Sequence, residues 1–386
     1  MSENVVAGND ARSYRLTNID MLRGLVIIIM AIDHARDFFY VGGISYPMEQ
    51  PDISISIYLT RWVTHFCAPV FVFLAGTSVG LMNARKSKHE IAALVFKRGL
   101  WLVLVEIFII SNAYSFAPFG EPALGGYTQV HLEVFWAIGV SMIVLSAAQF
   151  LGARFCFIVG LIILFGHNML DPIWPGQSVF DPYIEFWHII HQQGQTILGP
   201  FILLGGYPVL PWIGVMFLGY GTASIFQKPA DERDAILKKT GLTIIGLFLI
   251  IRFMDIYGDP NPWQMQDAGL LATIFDFMNL SKYPASLLYI LATIGPMALI
   301  CAYADRWTGW LKDTLVMFGR VPFAFYVTHL ILLHAISIVV GMLQGFEFNQ
   351  FMHIYAFYPE GYGLGLLGVY GIWALVIIIL YPLCKR

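Results

Sequence analysis

The 386-residue chain is 58% hydrophobic and 12% charged, with a formal net charge of -3 and a mean hydropathy of +0.69. A soluble domain carries roughly twice that charged fraction, so composition excludes a water-soluble globule. The small net charge says little by itself, and no nucleic-acid partner is expected.

Apolar runs of about 18 to 22 residues recur from end to end, which predicts an all-α polytopic membrane helix bundle of about ten transmembrane helices. The expected spans are 19–40, 60–83, 99–117, 132–151, 153–170, 208–226, 240–257, 284–303, 316–343 and 363–383. A β-barrel would need short alternating strands, and none are evident. One integral membrane domain, 1–386, accounts for the chain, with 1–18 as a cytoplasmic tail. No cleavable signal peptide is expected, because the first apolar run carries charges and lacks a small-residue cleavage site.

With the N-terminus inside, eighteen of the 22 Lys and Arg residues fall on the inner side, leaving Arg36, Arg61, Arg252 and Lys282 outside. This bias places both termini in the cytoplasm of a bacterial inner membrane. Cys67, Cys156, Cys301 and Cys384 match no metal spacing and read as packing residues, so no metal is expected.

The first span carries the most informative pattern. Arg23 and His34 stand eleven residues apart, and eleven steps of about 100° return a helix to within roughly 20° of its start. They therefore share one face, about 16 Å apart along the axis. Asp20, Asp33 and Asp37 flank the same stripe, and so many ionisable groups in one span point to a functional site. His34 is a candidate general base whose tautomer Asp37 or Asp33 could fix. The same groups also read as an interhelical hydrogen-bond network. Arg23 could meet a phosphate or a thioester oxygen, or serve as a snorkelling anchor paired with Asp20.

The second span offers His65, one turn after Arg61, as a residue that could face His34. Gly76 and Gly80 follow at a small-xxx-small spacing that predicts close helix packing. Glu106 is a lone carboxylate in the third span, a candidate proton relay or a partner for Arg98. His131 and Glu133 enter the fourth span and His167-Asn168 close the fifth, all candidates for sugar binding. The long connection after Asp171 holds Trp174, Pro175, Trp187, His188 and His191. Its apolar stretch Thr196–Gly206 is too short to span and should lie in the interface or re-enter. Two further outer connections, 258–282 and 347–362, could cap the outer mouth. Arg252 and Asp255 add polar groups at the outer end of the seventh span. Pro322 suits the first turn of the ninth, which places Arg320 at the inner mouth. His329 and His334 lie deeper, and at least one reads as a satisfied core histidine.

The polar residues gather in the outer halves of the spans and the basic ones at the inner ends. Such polarity suits an outer cavity for a hydroxylated substrate and an inner basic mouth for a phosphorylated one. No phosphate-cradling loop, zinc cluster or nucleophile elbow is evident.

Ile19-Asp-Met-Leu-Arg-Gly24, Asp33-His-Ala-Arg-Asp37 and Ala68-Pro-Val-Phe-Val-Phe-Leu-Ala-Gly-Thr-Ser78 resemble the bacterial heparan-α-glucosaminide N-acetyltransferase-like catalytic domain family. Lys97-Arg-Gly-Leu-Trp-Leu102, Tyr207-Pro-Val-Leu-Pro-Trp212, Lys282-Tyr-Pro-Ala-Ser-Leu287 and Phe318-Gly-Arg-Val-Pro322 extend the resemblance along the chain. The spacing from Arg23 to His34 also looks like that of bacterial acyltransferase type 3 proteins. The resemblance implies a transmembrane acyltransferase that moves an acyl group from cytoplasmic acyl-CoA to an envelope sugar or glycan. Its partners would be acyl-CoA (a co-substrate, most simply acetyl-CoA), the acceptor and the bilayer, and a homo-oligomer is compatible with it.

Carried over, Arg23, Lys97, Arg98 and Arg320 would bind acyl-CoA, and His34, Asp37, Asp33 and His65 would form the catalytic group. His131, Glu133, His167, Asn168, Arg252 and Asp255 would contact the acceptor. The eukaryotic lysosomal member is thought to use a histidine in the loop after its first helix. Residues 35–64 here contain none, so His34 inherits that role by spacing and His65 by proximity. The alternative is a non-catalytic permease for a small polar or anionic solute, which would show broken helices in paired repeats.

Overall fold

The computed structural model describes residues 17–41, 54–121, 124–173 and 182–385. The tail before Thr17, and Trp174 and Pro175 of the long connection, lie outside the described residues.

The helices follow in chain order. The first group is α1 (Thr17–Phe39), α2 (Ile55–Thr64), α3 (Cys67–Met82), α4 (Lys88–Val105) and α5 (Ser111–Ser115). Next come α6 (Val134–Ala148), α7 (Ala153–Gly166), α8 (Pro182–Ile190), α9 (Val209–Gly221) and α10 (Ala230–Met254). The last are α11 (Leu270–Phe277), α12 (Leu287–Tyr303), α13 (Trp310–Arg320), α14 (Pro322–Leu343) and α15 (Leu366–Lys385).

Among the described residues, seven helical segments are long and apolar enough to cross a membrane: Ile55–Met82, Val134–Leu151, Ala153–Leu170, Val209–Gln227, Leu287–Arg306, Pro322–Leu343 and Leu366–Lys385. This is a multi-pass, helical membrane protein. The other three expected spans correspond to α1, α4 with its continuation to Ser115, and α10. Each is long, but each carries more charge.

Helix α1 is the spine. It packs against α13, α3, α14 and α15, while α3 packs on α9, α4 on α6, α7 on α9 and α10 on α12. Two contacts bring backbones together. A Cβ on Gly24 would collide with the Leu315 backbone and one on Gly319 with that of Asp20. Across α3 and α9, a Cβ on Gly76 would strike Met216 and one on Gly219 would strike Phe73. In lipid, where apolar surface gains nothing by leaving the solvent, such close approach supplies the packing that joins helices.

The stretch Thr196–Gly206, too short to span, is not helical. It forms most of an antiparallel hairpin, whose strand β3 (Phe201–Gly205) also pairs in parallel with β1 (Thr128–His131), with β2 (Gly194–Leu198) on its other side. Gly199 takes a φ of +57° at the turn, a conformation that suits glycine. The apolar residues on either side satisfy their backbone groups across the sheet rather than within a helix.

Candidate active site

Two cavities meet along α1. The one at the His34 end has a volume of about 490 Å³, and the one at the Arg23 end about 400 Å³. Met30, Phe71, Val134 and Tyr326 line both. Met30 lies one helical turn before His34 and two turns after Arg23, so a single face of α1 serves both chambers.

The His34-end cavity is polar. His34, Asp33, Arg36 and Asp37 reach it from α1, Arg61 and Thr64 from α2, and Lys282 and Tyr283 from the connection before α12. Strand β1 delivers His131 and, just beyond it, Glu133. Gln195 comes from the hairpin, and Ile354, Tyr355 and Ala356 come from a strap between α14 and α15. The Ile354 amide donates to Glu121 Oε1 at 2.8 Å, which ties that strap to the loop after α5. Burial raises the Glu121 carboxyl above its ordinary range.

The charges in this cavity neutralise one another. Arg36 contacts Asp33 at 2.8 Å and Asp37 at 2.5 Å. Arg61 pairs with the other oxygen of Asp33, and Lys282 stands 3.7 Å from that oxygen. Five charged groups held this close offset the cost of removing them from water, a cost none could bear alone.

The sequence assigned Asp33 and Asp37 to His34, and the structure gives them to arginines instead. Arginine presents a rigid fork of donors and stays charged, so it competes best for a carboxylate. The imidazole is left among rings: His329 at 5.0 Å between centroids, Tyr326 at 5.9 Å and Tyr114 at 6.3 Å.

The Arg23-end cavity is walled by aliphatic, methionine and aromatic side chains of α1, α3, α4, α6 and α14. Its polar groups are Arg23, Ser78 and Arg98. Arg23 donates to Ser78 Oγ and to the Leu74 carbonyl at 3.3 Å, and its guanidinium lies 3.4 Å from Asp20. Arg320 stands 3.9 Å from the same carboxylate, so Asp20 links two of the expected donor-binding arginines.

Other expected site residues lie elsewhere. Lys97 is exposed and does not line the cavity, because one step along α4 turns it away from the face of Arg98. His65 sits at the turn between α2 and α3, its Nδ1 2.8 Å from the Arg61 carbonyl and its ring beside Tyr289. It lines neither cavity and does not face His34. His167 packs beside His191, which pairs with Asp171 at 2.8 Å. Asn168 accepts from the Leu287 amide at 2.9 Å and so caps the start of α12. Arg252 is buried and donates to the carbonyls of Phe277, Asn261, Asp276 and Asn279. Asp255 lies 3.7 Å from it, at the end of α10. Asn168, Arg252 and Asp255 hold loops and helix ends, both ring nitrogens of His167 are buried without a hydrogen bond among the described residues, and none of the four lines the cavity.

Glu106, read as a proton relay or a partner of Arg98, accepts from the Phe135 and Trp136 amides at 2.7 and 3.1 Å. It anchors the start of α6 by accepting from backbone amides that have no partner within the helix. His334 is the satisfied core histidine, set between the Ala113 and Phe351 carbonyls.

Sequence reasoning gave Arg61, Lys282 and Tyr283 no site role, Tyr283 appearing only within a resemblance motif, and passed over Tyr326 and Tyr114. A signal was present. All four basic residues that break the positive-inside pattern are engaged in the folded protein, three of them at this cavity.

A family model described as heparan-alpha-glucosaminide N-acetyltransferase, catalytic, matches residues 15–252. The matched segment contains Arg23, His34 and Arg61, while Lys282, Tyr326 and His329 follow it. Comparison with curated proteins gives no match.

Proposed function

We propose that this chain, which belongs to the heparan-α-glucosaminide N-acetyltransferase catalytic family, moves an acetyl group from cytoplasmic acetyl-CoA to a hydroxyl or amine of an envelope glycan. Membership makes it an acetyltransferase-like enzyme of the membrane. The donor, the acceptor and the sidedness are our reading. The observation that carries it is the pair of abutting cavities on one face of α1, apolar with arginines at one end and polar with His34 at the other.

In this reading the protein spans a bacterial inner membrane with both termini inside. Arg23, Arg98 and Arg320 meet the phosphates of CoA, since guanidinium matches phosphate oxygens. The thin pantetheine arm follows the apolar chamber and brings the thioester to the shared wall near Met30 and Tyr326. The acceptor sits in the polar chamber among His131, Glu133, Tyr283 and Lys282. His34 takes the proton from the attacking hydroxyl or amine as that atom bonds to the thioester carbonyl carbon. The carbon–sulfur bond then breaks, and the proton passes from His34 to the CoA thiolate. Exclusion of bulk water from the wall limits hydrolysis of the thioester.

The test uses purified protein in liposomes, with labelled acetyl-CoA on one side and a glucosamine-terminated oligosaccharide on the other. Label on the oligosaccharide that is lost in His34→Ala supports the reading. Passage of intact oligosaccharide or another small polar solute without thioester consumption would replace it with the permease reading.

A further inference from the structure

Two neighbouring histidines each carry a buried, unpartnered ring nitrogen. His34 Nδ1 and His329 Nε2 are both shielded from solvent, and neither makes a hydrogen bond among the described residues. The two rings stand 5.0 Å apart between centroids with their planes at 44°. At that separation, ring nitrogens turned towards each other come within hydrogen-bond length.

The protonation state of His329 follows from its other nitrogen. Nδ1 lies 3.0 Å from the Phe325 carbonyl, one turn back on α14. A carbonyl oxygen only accepts, so Nδ1 carries the hydrogen and Nε2 keeps a bare lone pair. A lone pair buried in this way calls for a donor. His34 Nδ1 meets that need if His34 is protonated there. The proton is then absent from Nε2, on the ring edge that opens to the polar cavity. Asp33 and Asp37 are engaged by Arg36 and Arg61, which leaves the orienting role to a neighbour of this kind.

We infer that His329 is a positioning residue that fixes His34 as its Nδ1–H tautomer and so keeps His34 Nε2 free to act as a base. The inference rests on the acyl-transfer reading for its use, though not for its geometry. A relay runs from the Phe325 carbonyl through His329 to His34 and then to the acceptor. During transfer, the proton leaving the acceptor's oxygen or nitrogen arrives at His34 Nε2. The His34 cation keeps its Nδ1–H on the His329 lone pair, and the same Nε2 proton ends on the departing thiolate. His329 neither gains nor loses a proton.

Two substitutions separate this role from packing. In His329→Asn the short amide can still donate to the Phe325 carbonyl, but nothing accepts from His34. In His329→Gln the amide oxygen reaches the place of Nε2 and can accept. The full chain is labelled with ¹⁵N-histidine in lipid nanodiscs, and the His34 signals are assigned by their loss in His34→Gln. The wild type should show His34 protonated at Nδ1 and bare at Nε2. Asn should shift His34 towards its other tautomer, and Gln should restore it. Under acetyl transfer, kcat should fall roughly 10- to 100-fold in Asn, as for loss of a residue that orients a reacting one, and recover at least partly in Gln. The KM for acetyl-CoA should hold in both.

A wild-type His34 protonated at Nε2 would overturn the inference, as would an Asn variant with unchanged tautomer and kcat. If Asn does not fold, the wild-type tautomer and the Gln variant decide. If the tautomers respond as expected but no variant transfers acetyl, the acyl-transfer reading fails and the positioning role stands.

Discussion

The two chambers along α1 differ in what builds them. The chamber at the Arg23 end is bounded by helices, whose largely apolar faces carry Arg23 and Arg98. The chamber at the His34 end is assembled from helices, a three-stranded sheet, the connection before α12 and a strap, and it concentrates charge. The contrast teaches where precision is required. In the acyl-transfer reading, a flexible arm carrying a thioester needs a greasy conduit and a cationic anchor for its phosphates. An acceptor that must present one atom to a base needs fixed polar groups, and cross-paired charges hold such groups still.

This division can be broken at either chamber. The largest effect is expected from His34→Ala, which should lower kcat by roughly 10²- to 10⁴-fold while leaving the KM for acetyl-CoA near its original value. Steady-state kinetics in proteoliposomes would read this, and an unaltered kcat would remove chemistry from the polar chamber. Asp33→Ala should come next. It leaves Arg36 and Arg61 without their shared carboxylate, a loss of about 3–5 kcal/mol for a broken buried pair, seen as a lower melting temperature in detergent.

At the other chamber, Arg23→Ala should raise the KM for acetyl-CoA roughly 10-fold, the equivalent of one charged hydrogen bond of about 1.5 kcal/mol, with kcat retained. A fall in kcat at constant KM would erase the distinction between the chambers. Glu106→Gln, behind the shared wall, should cost about 1 kcal/mol of stability, since the carboxyl that caps the α6 start is exchanged for an amide.

The smallest effect lies at the start of α4. Glu90 closes a capping box with Ser87, whose hydroxyl and amide hold its carboxyl below the ordinary 4.5. A depressed carboxyl contributes stability above its unfolded value, and this is lost as pH falls through the folded one. Glu90→Gln should flatten that acid-side slope in melting temperature, leaving kinetics at neutral pH alone.

The helical plan was legible because bilayer thickness imposes it on composition. The apolar runs, Pro322 at the start of α14 and the glycines Gly76 and Gly80 all read correctly from spacing. The alignment of Arg23 with His34 also held, because a helical period depends on the chain alone. The assignments at the far ends of the spans read less well. His65, Asn168, Arg252 and Asp255 were expected at a binding site, yet each is spent on a helix end or a loop, and His167 packs beside His191. Spacing reports depth in the membrane but not which neighbour lies at that depth.

The sequence by itself therefore determined the class of fold and the polarity of the first helix, together with the resemblance that names the chemistry. Tertiary structure decided the partners. It awarded Asp33 and Asp37 to Arg36 and Arg61, brought Lys282 across from the connection before α12, and set His329 beside His34. The reason is physical. Burial in a membrane makes every charge and every hydrogen-bonding atom seek a partner, and that competition is settled only among side chains that the fold brings together.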